Sequence, residues 1–161
     1  MNTTTDRTNT HATFTLEREY DAPLDRVWAA FADLELKKQW FGGGDFHDVE
    51  FAEDFRVDGT FTNNATDGEG HRSEFRATYS DIVDRERIVY SYDMWLDSAH
   101  ASTSVTTITF LPAGGSTLVT FTEQGVHLDG VHGPGPEAAA GREHGTGWLL
   151  DALGTWLSTS A

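Results

Sequence analysis

Cysteine is absent from the 161 residues, and lysine occurs only at Lys37 and Lys38. Without thiols there is no disulfide framework, no thiolate zinc site and no cysteine nucleophile. Eleven basic residues face 26 acidic ones, for a formal net charge of −15. Nucleic-acid recognition draws on clustered lysine and arginine, so a nucleic-acid partner is not expected. No run nears the roughly 18 apolar residues of a membrane span. The opening MNTTTDRTNTH lacks the apolar stretch of a secretory signal, and a cytoplasmic location is the expectation. The motifs G-x-S-x-G, G-x-x-x-x-G-K and H-E-x-x-H are missing too, which removes the commonest hydrolase, nucleotide and zinc-protease signatures.

What is present is enough apolar material for one core: 38% hydrophobic residues, 12% of the chain aromatic. The sequence reads as a polar tail over 1–11 and a single domain over 12–160. ATFTLEREY alternates as a strand, with Ala12, Phe14 and Leu16 on one face. Pro23 opens a helix, and Val27, Trp28, Phe31 and Leu34 follow at helical spacing. A second short helix near Glu35 to Phe41 ends at Gly42-Gly43-Gly44. A ladder of strands rich in threonine, valine, tyrosine and phenylalanine comes next. It covers Val49 and Phe51, Thr60 to Asn64, then 73–83, 87–96, 102–111 and 117–124. Short connections, including the Pro112–Gly115 turn, predict an antiparallel sheet. Residues 125–136 are rich in glycine and proline and read as a loop. The last helix carries Trp148, Leu149, Ala152, Leu153, Trp156 and Leu157 as one apolar stripe. Only this helix is long enough to cover the apolar face of the sheet.

This order resembles the SRPBCC, or START-like, superfamily, and within it the group of heat-shock protein 90 ATPase activator homologues. Pro23 and Trp28 in the first helix and Trp40-Phe41 before a glycine loop are similar to that group. So are DFRVDGTF at 54–61, ATYSDIVDRERIVYSY at 77–92, Thr122-Glu123-Gln124-Gly125 and Gly147-Trp148. The likeness spans about residues 12–158. Asp58 departs from it where a glycine is usual, and Asp84-Arg85 replaces a common proline pair. The resemblance implies an α+β helix-grip (START/Bet v 1-like) fold: a curved antiparallel sheet of about six or seven strands around the long terminal helix, two short helices after the first strand, and an apolar cavity between sheet and helix.

DFRVDGTF itself reads as a turn that sets strand register. Asp54 and Arg56 are two apart and face the same way, Gly59 supplies the turn, and Phe61 enters the core.

The candidate ligand site is the concave aromatic surface. Tyr90, Tyr92 and Met94 share one parity of their strand, Ile108 and Phe110 another, and Val119, Phe121 and Glu123 a third. They are expected to meet Trp148, Ala152 and Trp156. Trp28, Phe31 and Trp40 from the short helices, with Phe61 and Phe75 from the ladder, extend that lining. His144 stands one turn before Trp148 and, with Glu123, could form a proton-transfer pair. His127, His132 and His144 match no compact ligand spacing, so no metal is expected, and no cofactor either.

Three functions follow: binding of a small apolar or aromatic molecule gated by residues 125–136; a cyclase- or hydrolase-like enzyme in the same cavity; and a co-chaperone-type interaction, which the family name alone implies. Oligomeric state is not legible.

Overall fold

The computed structural model describes residues 8–42, 47–128, 131 and 133–159. Seven strands form one sheet: β1 (Asn9–Tyr20), β2 (His47–Glu53), β3 (Thr60–Thr66), β4 (Arg72–Val83), β5 (Arg87–Leu96), β6 (Ala99–Ala113) and β7 (Ser116–Leu128). Helices α1 (Leu24–Ala32) and α2 (Leu34–Trp40) follow β1, and α3 (Gly135–Thr159) ends the chain. The sheet order is β1-β7-β6-β5-β4-β3-β2, antiparallel throughout. Six strands therefore run as a meander, while β1 crosses over to lie beside β7. This is the helix-grip arrangement that the resemblance implied.

Alternation sets the inner face. Phe14 and Tyr20 of β1, Phe75, Ala77 and Tyr79 of β4, and Val119, Phe121 and Glu123 of β7 are all buried. Residues between them point outward, as a period of two demands. Two-residue turns join the long hairpins: Asp97 and Ser98 adopt φ of 49° and 70°, and Gly114 adopts 66°. At Asp97-Ser98, positive φ at both central positions fits the right-handed twist of the strands it connects.

Helix α1 has Pro23 at its N-cap and buries Val27, Trp28, Ala30 and Phe31. Asp33 caps α2, accepting from the amides of Glu35 at 2.9 Å and Leu36 at 3.4 Å. Trp28 and Phe31 stand edge-on to Phe110, at centroid distances of 5.0 and 5.3 Å. Helix α3 is fastened to β1, where the Tyr20 hydroxyl donates to the Leu150 carbonyl at 2.7 Å and Arg18 pairs with Asp151 at 2.8 Å.

Several sequence expectations shift. Strand β1 begins at Asn9, inside the stretch read as tail; residues 1–7 lie outside the described residues, as do 43–46. Strand β7 runs to Leu128 because all of it pairs with β1, so 125–128 are strand rather than loop. Positions 129, 130 and 132, which belong to the stretch read as a gate, lie outside the described residues. The stripe on α3 is rotated: Ala138, Thr146, Leu150, Leu153 and Leu157 are buried, whereas Trp148 is 52% exposed.

The DFRVDG turn also works differently. Asp58 takes the left-handed conformation, φ 68°, and Gly59 does not. Gly59 is needed for proximity instead, since a Cβ there would lie 2.0 Å from the Asp54 carbonyl oxygen. The pair Arg56–Asp54, at 2.6 Å, does share one side.

Candidate functional site

A cavity of about 480 Å³ opens between the sheet and α3. Its walls are Phe41 from the end of α2, Phe75 of β4, Tyr90, Tyr92 and Met94 of β5, Phe121 of β7, and Leu149 of α3. Phe75 and Tyr92 lie 4.6 Å apart between centroids, tilted by 31°. An irregularity in the β5–β6 pairing near Met94 leaves Ala101 unopposed, and Ala101 lines the cavity.

A polar cluster interrupts this largely apolar wall, to which Asn63, Ser73, His127 and Thr146 also contribute. The Tyr92 hydroxyl donates to Glu123 Oε1 at 2.6 Å and accepts from Arg142 Nη1. Arg142 Nη2 donates to Ser102 Oγ at 3.3 Å, and the guanidinium sits 5.5 Å from the Tyr92 ring centre. The phenol thus bridges an acid and a base that have no salt bridge of their own. Burial pushes the Glu123 carboxyl above its ordinary range, with Arg142 and Tyr92 acting against that. Burial likewise holds the Tyr90 and Tyr92 phenols well above theirs. Both phenols are therefore neutral hydrogen-bonding groups at neutral pH, and neither is a base.

Among residues named from the sequence, Phe75, Tyr90, Tyr92, Met94, Phe121, Glu123, Trp148 and Leu149 line this cavity, as does the buried His127. Phe31, Trp40, Phe61 and Ile108 instead surround a recess of about 20 Å³ further in, with room for about one water. Trp28 and Phe110 pack against each other in the core. Ala152 lies on the outer side of α3, in a groove with Trp148 and Trp156. His144 is exposed and does not line the cavity, so no pair with Glu123 forms. Its spacing from Trp148 is helical, but Trp148 itself lies on the half-exposed side.

Arg142 was not among those residues, although it is one helical turn from Ala138 and from Thr146, both buried. That spacing is the signal in the sequence, since it puts Arg142 on the same helical face as two buried residues. A second polar cluster joins α2 to the sheet. Lys37 is 4% exposed and meets Glu53 Oε2 at 2.5 Å, which also accepts from the Tyr79 hydroxyl. Burial lowers the Lys37 pKa, and Glu53 opposes the shift. Among the described residues, the one group of acids and histidine close enough to hold a metal ion is Asp67, Glu69 and His71. Asp67 already accepts from the backbone amides of both its companions, so the group is a turn.

A curved antiparallel sheet closed by its terminal helix over a ring-lined cavity defines the helix-grip class. The chain belongs to the family described as Activator of Hsp90 ATPase homolog 1-like protein, whose profile matches residues 21–157. It is similar to an uncharacterized protein of Rhizobium leguminosarum, at 38% identity and a TM-score of 0.88, covering 97% of this chain and 100% of that one. A Rhizobium loti protein is 41% identical, with a TM-score of 0.82 over 92% and 98% of the two chains. A Chromobacterium violaceum protein shares the fold at 24% identity and a TM-score of 0.71, over 90% and 96% of the chains. No curated protein matches. No helix among the described residues is long and apolar enough to cross a membrane.

Proposed function

We propose that the protein binds a small apolar or aromatic molecule between the sheet and α3. The observation that carries this reading is the 480 Å³ cavity, walled largely by aromatic and aliphatic side chains around a buried polar cluster. Ligand sites are commonly of about 300–1,000 Å³, mostly apolar, with a few placed polar groups. A solid core would leave no such space, because interiors pack about as densely as organic crystals.

The chemistry of the cluster favours holding over turnover. Its tyrosines stay protonated, and the histidine expected to partner Glu123 is elsewhere. Screening apolar and aromatic compounds by thermal shift, with native mass spectrometry of co-purifying molecules, tests the reading. Binders should raise Tm and quench tryptophan emission, the quenching being reduced in Trp148→Ser at the cavity wall. If no compound in a broad library moves Tm, binding is refuted.

A further inference from the structure

Both edge strands of the sheet carry acids and no lysine. Glu17 and Glu19 stand exposed on β1, and Asp48 and Glu50 on β2. Lysine is the more usual charge on an edge strand. Residues two apart on a strand are separated by about 7 Å, so each pair of acids is a pair of close like charges. The side chains that meet Asp48 and Glu50 are the neutral amides of Asn63 and Asn64. Across β1, β7 and β6 the outer face presents hydroxyls rather than cations: Thr15 bonds to Thr122 at 3.1 Å, and Thr107 lies next in register.

The bases cannot balance these acids. Lys37 is buried against Glu53, which leaves Lys38 as the one exposed lysine of the chain. Arg18, Arg56, Arg72, Arg76, Arg85 and Arg87 each lie within 4.0 Å of a carboxylate already. The other described arginines, Arg26 and Arg142, rest against Trp156 and Tyr92. Glu17, Glu19 and Glu143 are exposed, and their carboxylates have no hydrogen bond or ion pair. The surplus of 26 acids over 11 bases is therefore a property of the folded surface.

Such self-repulsion favours the expanded chain, because unfolding moves like charges apart. The screening length decides where this matters. It is about 8 Å at 0.15 M salt, longer than the spacing of the edge pairs, and about 3 Å at 1 M, less than half of it. Dilute salt leaves the neighbours repelling, whereas molar salt hides them from one another.

We infer that this protein is built for a medium of molar monovalent salt, and that its fold reaches full stability only where alkali cations crowd its carboxylates. The effect belongs to the whole surface and is independent of what the cavity holds.

Thermal unfolding of the full-length protein in KCl from 0.1 to 3 M at neutral pH tests it. Tm should rise by about 10 °C or more. Most of the rise should fall below about 1 M, where screening is nearly complete. A variant carrying Glu17→Gln, Glu19→Gln, Glu50→Gln and Glu143→Gln takes the net charge from −15 to −11. Glutamine matches glutamate in size and can still accept from Asn64, so these exposed changes remove charge alone. Repulsion varies about as the square of net charge, so the variant should gain about half as much from salt and should melt higher at 0.1 M. A wild-type Tm that stays flat or falls between 0.1 and 2 M would overturn the inference. So would an equal rise in wild type and variant, which marks general salting-out instead of relieved repulsion.

Discussion

Lys37 and Glu53 form an ion pair at 2.5 Å inside the protein, with side-chain exposures of 5% and 1%. The ammonium also lies 4.3 Å from the centre of the Phe61 ring. One charge comes from α2 and the other from β2, so the pair fastens the helix that precedes Phe41 to the edge of the sheet. Removing either partner alone strands the other in a poorly hydrated site.

Lys37→Ala should therefore cost about 3–5 kcal/mol, the usual penalty for breaking a buried pair. Lys37→Met combined with Glu53→Leu and Tyr79→Phe should recover most of that loss, since the Tyr79 hydroxyl bonds to both partners and replacing a whole buried cluster by apolar groups is often close to neutral. Denaturant titration of the two variants beside the wild type is the measurement. A single variant within about 1 kcal/mol of wild type would show that the pair is not held dry.

Glu123 should leave a mark on the pH dependence of stability. Its pKa in the fold is above the ordinary 4.5, chiefly because burial disfavours the carboxylate. The folded protein thus keeps this proton to a higher pH than the unfolded chain does. The stability it contributes is complete below 4.5 and is lost as pH rises through the folded pKa. Glu123→Gln cannot titrate, so wild-type stability minus variant stability should fall as pH goes from about 4 to about 7. A difference that stays flat across that interval would contradict the shift.

Gly59→Ala should be strongly destabilising. An added Cβ would meet the Asp54 carbonyl oxygen at 2.0 Å and the Arg56 carbonyl oxygen at 2.8 Å, both backbone atoms of the same turn. Relief requires the turn to open, at a cost of about 1–3 kcal/mol or more. Asp58→Gly should have the opposite sign, because glycine takes φ of 68° without a Cβ penalty. Thermal melts of the two variants check the pair, and a neutral Gly59→Ala would refute the close-approach argument.

Gly141 and Gly145 line the cavity from α3, and an added Cβ at either meets nothing within 4 Å. Alanine at each should stabilise the helix by about 1 kcal/mol. Gly147→Ala should gain less, because Arg18 Nη2 would be 3.4 Å from the new methyl. Denaturant midpoints of the three variants decide this; a loss at Gly141 or Gly145 would mean that those positions need their flexibility.

Much of the architecture was legible because it depends on patterns local to each segment. Period-two alternation located most strands, and Pro23 with Val27, Trp28 and Phe31 marked α1. The crossover that pairs Asn9 with Leu128 was not legible, since no residue of β1 encodes its distant partner. The same pairing explains why a glycine-containing stretch after Glu123 remains strand. At the site, the parity of Tyr90, Tyr92, Phe121 and Glu123 held, because those residues alternate cleanly along β5 and β7. On α3 the expected stripe is only partly inward: Leu153 and Leu157 are buried and Trp148 and Leu149 line the cavity, whereas Ala152 lies in an outer groove, because burial follows where the sheet lies. Trp156, for instance, gives its indole N–H to Gln39 at 2.9 Å on the outside of the molecule. Lys37 was hidden for a related reason: a lysine on a short helix is ordinarily solvated, and only the spatial arrival of Glu53 makes its burial affordable.

Arg142 reaches the cavity from α3, whereas Tyr90, Tyr92 and Glu123 all stand on the sheet. The cation of the cavity is therefore carried by the helix and its carboxylate by the sheet. A relative with a neutral side chain in place of Arg142 would leave the Glu123 carboxylate as the charge in the same vessel and suit a basic guest, with its β-framework and aromatic walls unaltered.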